Sequence, residues 1–280
     1  MTRGPIKRLH AYRDDLADER LRGQVHAGRY VKGKAAQVSD AVASLRRAPA
    51  DDAMQVTQAL FGETLLVFET RDGWCWVQLD EDGYVGYVRA DALSENVMEA
   101  THRVSVPATF KFAGPDLKSQ PAIMLPLNGR LSVRGEENGY LRLAAGGYVY
   151  AAHCTGSGTY GTDWVSVAEQ FLHVPYLWGG KTSHGLDCSG LVQVALQAAG
   201  VAALRDSDMQ EESLGTAVAQ GTELRRGDLV FWTGHVGIMR DDRILLHANG
   251  HHLMVVSEPL DEAIARIASK GSTITSIKRL

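Results

Sequence analysis

Between residues 62 and 88 the sequence GETLLVFETRDGWCWVQLDEDGYVGYV separates three short apolar runs with Arg71-Asp72-Gly73 and Glu81-Asp82-Gly83. Asp-Gly between alternating apolar residues is a strong hairpin signal. The tightest two-residue loops need positive φ at both turn positions, and Asp and Gly reach it at least cost. The runs 64–70, 74–79 and 84–88 therefore read as a meander of short strands. Glycine extends this reading to the whole chain: 29 of 280 residues are Gly and only 8 are Pro. The usual glycine share is ~7%, so tight turns are frequent here.

The meander recurs. GRLSVRGEENGYLRLAAGGYVYA (129–151) lies over 62–88, pairing Asp72-Gly73-Trp74 with Asn138-Gly139-Tyr140 and Gly83-Tyr84 with Gly147-Tyr148. Two copies of a unit this small suit tandem β-barrels of SH3 type, over 35–98 and 99–153. Residues 1–34 are polar and lack a sustained apolar period, so they read as an arm. Residues 154–161 (CTGSGTYG) are Gly- and Ser-rich and read as a linker. Over 162–280 the pattern changes. Asp163 caps a predicted helix with Trp164, Val167, Ala168 and Phe171 at helical spacing, and a second helix runs from about Ser189 through Ala199 with Gly200 as its stop. Strand candidates at 228–232, 235–240, 243–248, 253–256 and 273–278 follow. Helices first and antiparallel strands afterwards make an α+β domain.

Charge and cysteine content exclude several classes. Lys plus Arg number 29 and Asp plus Glu 33, a net charge of −4, without the basic excess of a phosphate-binding nucleic-acid partner. No apolar run approaches the ~18 residues of a membrane helix, and the first residues lack a signal-type apolar stretch. A cytoplasmic protein with no membrane partner is the expectation. Cys75, Cys154 and Cys188 are too few and odd in number for a disulfide framework. No Cys or His pair has zinc-ligand spacing with a matching partner, and no glycine-rich phosphate loop occurs, so no metal or cofactor is expected.

Chemistry gathers around Cys188. In Gly185-Leu186-Asp187-Cys188-Ser189-Gly190 a loop enters a helix, where backbone N–H groups and the helix dipole can stabilise a thiolate and a developing oxyanion. His235 opens one strand candidate and His247 closes the next. The two are mirrored about Asp241 in the connecting turn, so the hairpin can set them side by side. One imidazole can then take the thiol proton while the other orients it. A buried structural cysteine is the alternative reading.

Pro175-Tyr176-Leu177-Trp178-Gly179-Gly180, the run Leu186 to Val192, and Gly227-Asp228-Leu229-Val230-Phe231-Trp232 with Gly234-His235-Val236-Gly237-Ile238 together resemble the NlpC-type cell-wall cysteine peptidases. The resemblance covers about 120 residues. It implies a papain-like fold with Cys188, His235 and His247 as the triad. It also implies hydrolysis of the bond between the γ-carboxyl of D-glutamate and a diamino acid in peptidoglycan stem peptides. Upstream SH3-like repeats resemble the branch that trims free peptides with an unblocked N-terminal L-alanine, which points to wall-peptide recycling. By position, the resemblance makes Trp178 a wall of the cleft. Asp187, Ser189 and Ser207 would contact the substrate's ammonium and carboxylate, and Tyr84 and Glu63 would complete an ammonium pocket. A non-catalytic wall-binding protein and an acyl or amide transferase with the same Cys–His chemistry stay open, as do the identity of the diamino acid and the oligomeric state.

Overall fold

The turn pairs behave as their chemistry requires. Asp72 and Gly73 have φ of 51° and 77°, and Asn138 and Gly139 have 49° and 78°. Positive φ at both positions is the type I′ signature whose twist matches a two-residue hairpin. Each pair joins antiparallel strands, Thr64–Arg71 to Trp74–Leu79 and Val133–Glu137 to Tyr140–Leu143. In this computed structural model, residues 4–219 and 221–280 are described, and the chain divides into two units, Met1–Ser157 and Gly158–Leu280.

The first unit holds a seven-stranded sheet in the order Gln55–Leu60, Val42–Arg46, Val85–Arg89, Trp74–Leu79, Thr64–Arg71, Lys34–Val38, Leu93–Ser94. Its inward residues Leu45, Leu65, Val77 and Leu79 form one apolar cluster. A five-stranded and a three-stranded sheet follow over residues 102–156, closed around Val104, Leu125, Leu131 and Val149. Both regions end their third matching strand in a 3₁₀ turn, Ala90–Ala92 in one and Ala151–His153 in the other.

Two boundaries differ from the sequence reading. The polar N-terminal segment is packed rather than a loose arm: Leu16–Asp18 pairs with Arg29–Val31, and Ala11 and Leu16 join Phe68 and Trp76 in a small buried cluster. Arg13 anchors it through Glu69 and Tyr87, with its guanidinium over the Trp76 ring at 4.4 Å. Burial of so few apolar residues leaves no periodic signal in sequence. The predicted linker also starts too early, because Cys154–Gly156 pairs with His102–Val104 through backbone groups that composition does not report.

In the second unit, α1 (Trp164–Glu169) is capped by Asp163, whose carboxylate accepts from the Ser166 N–H. α2 (Cys188–Ala198) is buried along nearly its whole length and ends at Gly200, φ 76°. α3 (Ser207–Ser213) precedes a six-stranded sheet ordered Thr216–Ala217, Ile274–Arg279, Leu229–Trp232, His235–Met239, Ile244–Asn249, Met254–Pro259. A fourth helix, α4 (Leu260–Ala268), lies between the last two strands in sequence, where only strands were expected. It packs Leu260, Ala263, Ile264 and Ile267 onto Val230, Trp232, Met239 and Leu245. Among the described residues, no helix is long and apolar enough to cross a membrane.

The loop before α2 fits against the helix only because residue 190, in its first turn, is glycine. A Cβ on Gly190 would stand 2.2 Å from the Gly180 carbonyl oxygen, a backbone atom that cannot swing aside. Gly190→Ala should therefore push the 179–186 loop off the helix start, at about 3 kcal/mol. Thermal unfolding of the variant checks this; an unchanged Tm would refute it.

Candidate active site

Everything at the start of α2 depends on Asp187. Its carboxylate caps the helix by accepting from Gly190 N–H at 2.7 Å, and holds the preceding loop through Gly179 N–H at 2.7 Å. The Ser189 hydroxyl donates to it, and Arg205 grips both oxygens at 2.9 and 2.6 Å. Arg205 is 1% exposed and also donates to the Ser189 hydroxyl and the Gly180 carbonyl. A buried guanidinium is tolerable only when paired like this.

This changes the expected role of Asp187. The resemblance made it a free acceptor for a substrate ammonium, yet five hydrogen bonds already hold it and Arg205 balances its charge. An ammonium arriving there shares the carboxylate rather than claiming it. Ser189 is likewise buried in the same network. Arg205 was missed because a buried arginine has no sequence mark until its partner is known.

Cys188, the first residue of α2, is 7% exposed. The Val236 and Ser189 backbone N–H groups hydrogen bond its sulfur, so the thiol lies beside the strand that His235 opens. Burial pushes the thiol up to about 12, and the Asp187 charge adds to this; the backbone N–H groups and Arg205 pull the other way and lose. The expected depression at a helix entry is thus not what the folded site does. A single helix terminus is worth about 0.3–2 kcal/mol, less than full desolvation of a thiolate. Tyr176, also missed in sequence, has its phenol raised by burial and then by the neighbouring Cys188 and Asp187 charges.

The histidines meet, but not as mirror images. Ile238 pairs with Leu246 and Met239 with Leu245. Extending that register puts His247 opposite Gly237, so His235 and His247 are diagonal neighbours on one sheet face. Diagonal pairs remain within reach of long side chains, and His235 Nε2 lies 2.8 Å from His247 Nδ1.

A residue the sequence did not single out sets the proton positions. His247 Nε2 is 2.6 Å from Glu258 Oε1 and 2.9 Å from Asn249 Nδ2. The Asn249 amide oxygen accepts from the backbone N–H groups of His251 and His252, which fixes its nitrogen toward the ring. One ring nitrogen cannot both donate to Glu258 and accept from Asn249. The carboxylate wins, because charge-assisted bonds are about twice as strong as neutral ones. Burial would raise Glu258, but hydrogen bonds from His247 and Arg266 outweigh it and hold the acid at about 2, so it is ionised. His247 Nε2–H therefore donates to Glu258, His247 Nδ1 accepts from His235 Nε2–H, and His235 Nδ1 keeps its lone pair as a base. Arg266 grips both Glu258 oxygens through its two terminal nitrogens, sharing Oε1 with His247.

Both imidazoles are held below the ordinary histidine value, first by burial; at His235 the His247 charge adds to this. The resting pair is a neutral thiol and a neutral imidazole, so proton transfer accompanies attack. Among the described residues, no group of three or more His, Cys, Asp or Glu is placed to hold a metal ion.

The remaining sequence candidates belong to both units. Trp178 is 58% exposed on the loop before Asp187. Ser207 is half-buried and opens α3. Tyr84 and Glu63 belong to the first unit. Tyr84 is not an exposed aromatic there but part of the apolar cluster at 4% exposure, its turn set by Asp82 accepting from the Tyr84 N–H. Glu63 is also buried, at 3% exposure.

Two outcomes follow. Glu258→Gln removes the charge that fixes the tautomers, so kcat should fall about 10- to 100-fold with KM nearly unmoved. Steady-state kinetics that find kcat unchanged would remove Glu258 from the proton line. Because the folded pKa of His235 is lowered, its base form persists as the pH falls through the ordinary value of about 6.5. kcat/KM should stay level from about pH 8 to below that value, and a drop centred at 6.5 would contradict the buried neutral imidazole.

Residues 173–268 match the NlpC/P60 family profile, and residues 45–93 match the bacterial dipeptidyl-peptidase SH3 domain. A Bacillus cereus protein named gamma-D-glutamyl-L-lysine dipeptidyl-peptidase is 26% identical over 205 residues, 65% of this chain and 61% of that protein. Dipeptidyl-peptidase 6 of Lysinibacillus sphaericus is 32% identical over 148 residues, 51% of this chain and 53% of that protein. The chain thus spans about half to three fifths of these relatives' lengths. The solved structure of an NlpC/P60 family protein from Bacillus cereus superposes with a TM-score of 0.75, covering 88% of this chain and 99% of that one at 21% identity. Cys188, His235, His247 and Glu258 all lie within the 173–268 span that matches the NlpC/P60 family, and the bacterial dipeptidyl-peptidase SH3 match lies upstream of it in the same chain.

Proposed function

We propose that the protein hydrolyses the amide between the γ-carboxyl of D-glutamate and a diamino acid, in peptidoglycan-derived peptides whose N-terminal L-alanine is free. The observation that carries this reading is the His235–His247 contact, with Cys188 beside the Val236 backbone of the same strand, within the span that matches the NlpC/P60 family. The relatives' names add to it. The similarity to the Bacillus cereus protein runs over 205 residues, well beyond the 173–268 span, and that relative is named as a dipeptidyl-peptidase. An enzyme that releases a dipeptide has room for two residues before the cut bond, which suits L-Ala-γ-D-Glu with an unblocked end.

His235 Nδ1 takes the thiol proton as the Cys188 sulfur attacks the γ-carbonyl. The α2 N-terminus offers backbone N–H groups to the oxyanion, and the protonated His235 returns its proton to the leaving amine. Water then resolves the thioester with His235 as base. Ser189, Ser207 and Trp178 are the proposed substrate contacts in the second unit, with Asp187 sharing its charge as described. A pair of SH3-type barrels over 35–98 and 99–153 is the reading we favour for the first unit, supported by the repeated hairpin–strand–3₁₀ order. In intact wall the L-alanine amine is acylated by muramic acid, so a free-amine requirement fits recycling of released peptides and a cytoplasmic location.

The test compares L-Ala-γ-D-Glu-diamino-acid tripeptide with its N-acetylated form, following products by mass spectrometry with Cys188→Ala as control. The free peptide should yield L-Ala-γ-D-Glu and the diamino acid. The blocked one should be cleaved about 10²-fold more slowly, as expected when ~3 kcal/mol of ammonium pairing is lost. Equal rates would exclude the free-end requirement; intact peptide would exclude hydrolysis.

A further inference from the structure

The catalytic histidines form one wall of a cavity of about 410 Å³ that also takes in Trp232, Arg266, Lys270 and Ser272. Cys188 is not among its lining residues. The cavity therefore lies on the histidine side of the reacting atoms, where α4 and the turn after it cover the sheet. His235 must hand its proton to the amine that departs, so the leaving group has to sit beside His235 rather than beside the acylated sulfur. A space of this size is ample for one amino acid.

Its lining is one-sided in chemistry. Arg266 and Lys270 are cations, and among the described residues no carboxylate lines the cavity. Glu258 stands behind Arg266 and takes two of its five N–H groups. Lys270 is exposed. Two further polar atoms of lining residues make no hydrogen bond: the Trp232 indole Nε1, in a side chain 2% exposed, and the Ser272 Oγ. A buried indole N–H without an acceptor costs about 1–3 kcal/mol, so its presence beside an active site calls for an acceptor supplied from outside. His251, on the same cavity, is held below the ordinary imidazole value first by desolvation and then by Arg266, His252 and Lys270, so the positive field is felt there.

We propose that this cavity is the subsite of the leaving diamino acid, and that Lys270, Arg266 and the Trp232 and Ser272 donors select a side chain ending in a carboxylate, as in 2,6-diaminopimelate, over one ending in a lone ammonium, as in lysine. The proposal rests on the hydrolase reading above and narrows it. A diaminopimelate side chain brings a carboxylate to the cations and donors. A lysine side chain brings a third positive charge and no acceptor, which is repulsive.

The test uses the full-length protein, two tripeptides and one reporter: L-Ala-γ-D-Glu joined to meso-diaminopimelate, to L-lysine, or to p-nitroaniline, which has neither end group. Wild type should cleave the diaminopimelate peptide with kcat/KM about tenfold or more above the lysine peptide. That is the size expected when attraction at a half-exposed charge is exchanged for repulsion. Lys270→Glu should bring the two peptides to within about twofold or reverse them. Lys270→Arg should keep the preference. Equal rates on both peptides in wild type, or a preference that survives Lys270→Glu, would overturn the subsite. Failure to cleave even the anilide would instead overturn the hydrolase reading, and the subsite with it.

Discussion

The Asp187 carboxylate is the interaction on which the catalytic unit depends. It caps α2, and so sets the direction in which Cys188 leaves the helix. It pins the Gly179 loop, which approaches the helix closely enough to exclude any Cβ at Gly190. Its partner Arg205 carries the segment before α3 into the same knot. Removing either charge would leave the other buried and unpaired, a cost of about 3–5 kcal/mol. The group that precedes the nucleophile therefore does structural and electrostatic work at once: it orders the helix start and also raises the thiol it sits beside.

The raised thiol is answered on the other side by the polarity of the proton line. Arg266, Glu258, His247 and His235 alternate cation, anion, acceptor and base across the outer strands of the sheet. The Arg266–Glu258 end is charged, and the two imidazoles that follow it are neutral. A neutral line in a buried setting avoids the desolvation cost of a standing thiolate–imidazolium pair and defers charge separation until a carbonyl is present to receive it. α4 matters for this reason as well as for packing: it supplies Arg266 from the same turns that bury Ile264 and Ile267 against the sheet.

The same helix gives the histidine side its walls. A line that must hold a glutamate in place with an arginine also puts positive charge next to the departing group. With the proposed subsite, orientation of the base and recognition of the leaving group would be served by one element, and a diamino-acid preference would follow from how the tautomers are fixed.

Local chemistry made much of this legible in advance. Asp72-Gly73 and Asn138-Gly139 can hardly avoid type I′ turns, because few other residues reach positive φ twice in succession. Asp163 and Asp187 announce helix starts, Gly200 announces an end, and Cys188 with two histidines on neighbouring strands announces nucleophile and base. Each of these is decided by a residue and its near neighbours in sequence. The register that places His247 diagonally from His235, the pairing of Arg205 with Asp187, the insertion of α4 and the choice of Glu258 over Asn249 as partner to His247 are not. They depend on which groups meet across dozens of residues and on how much water is left between them. Sequence spacing names the reacting side chains; only burial and tertiary contact decide their protonation, because the desolvation and charge that shift a pKa come from neighbours the chain brings in from elsewhere.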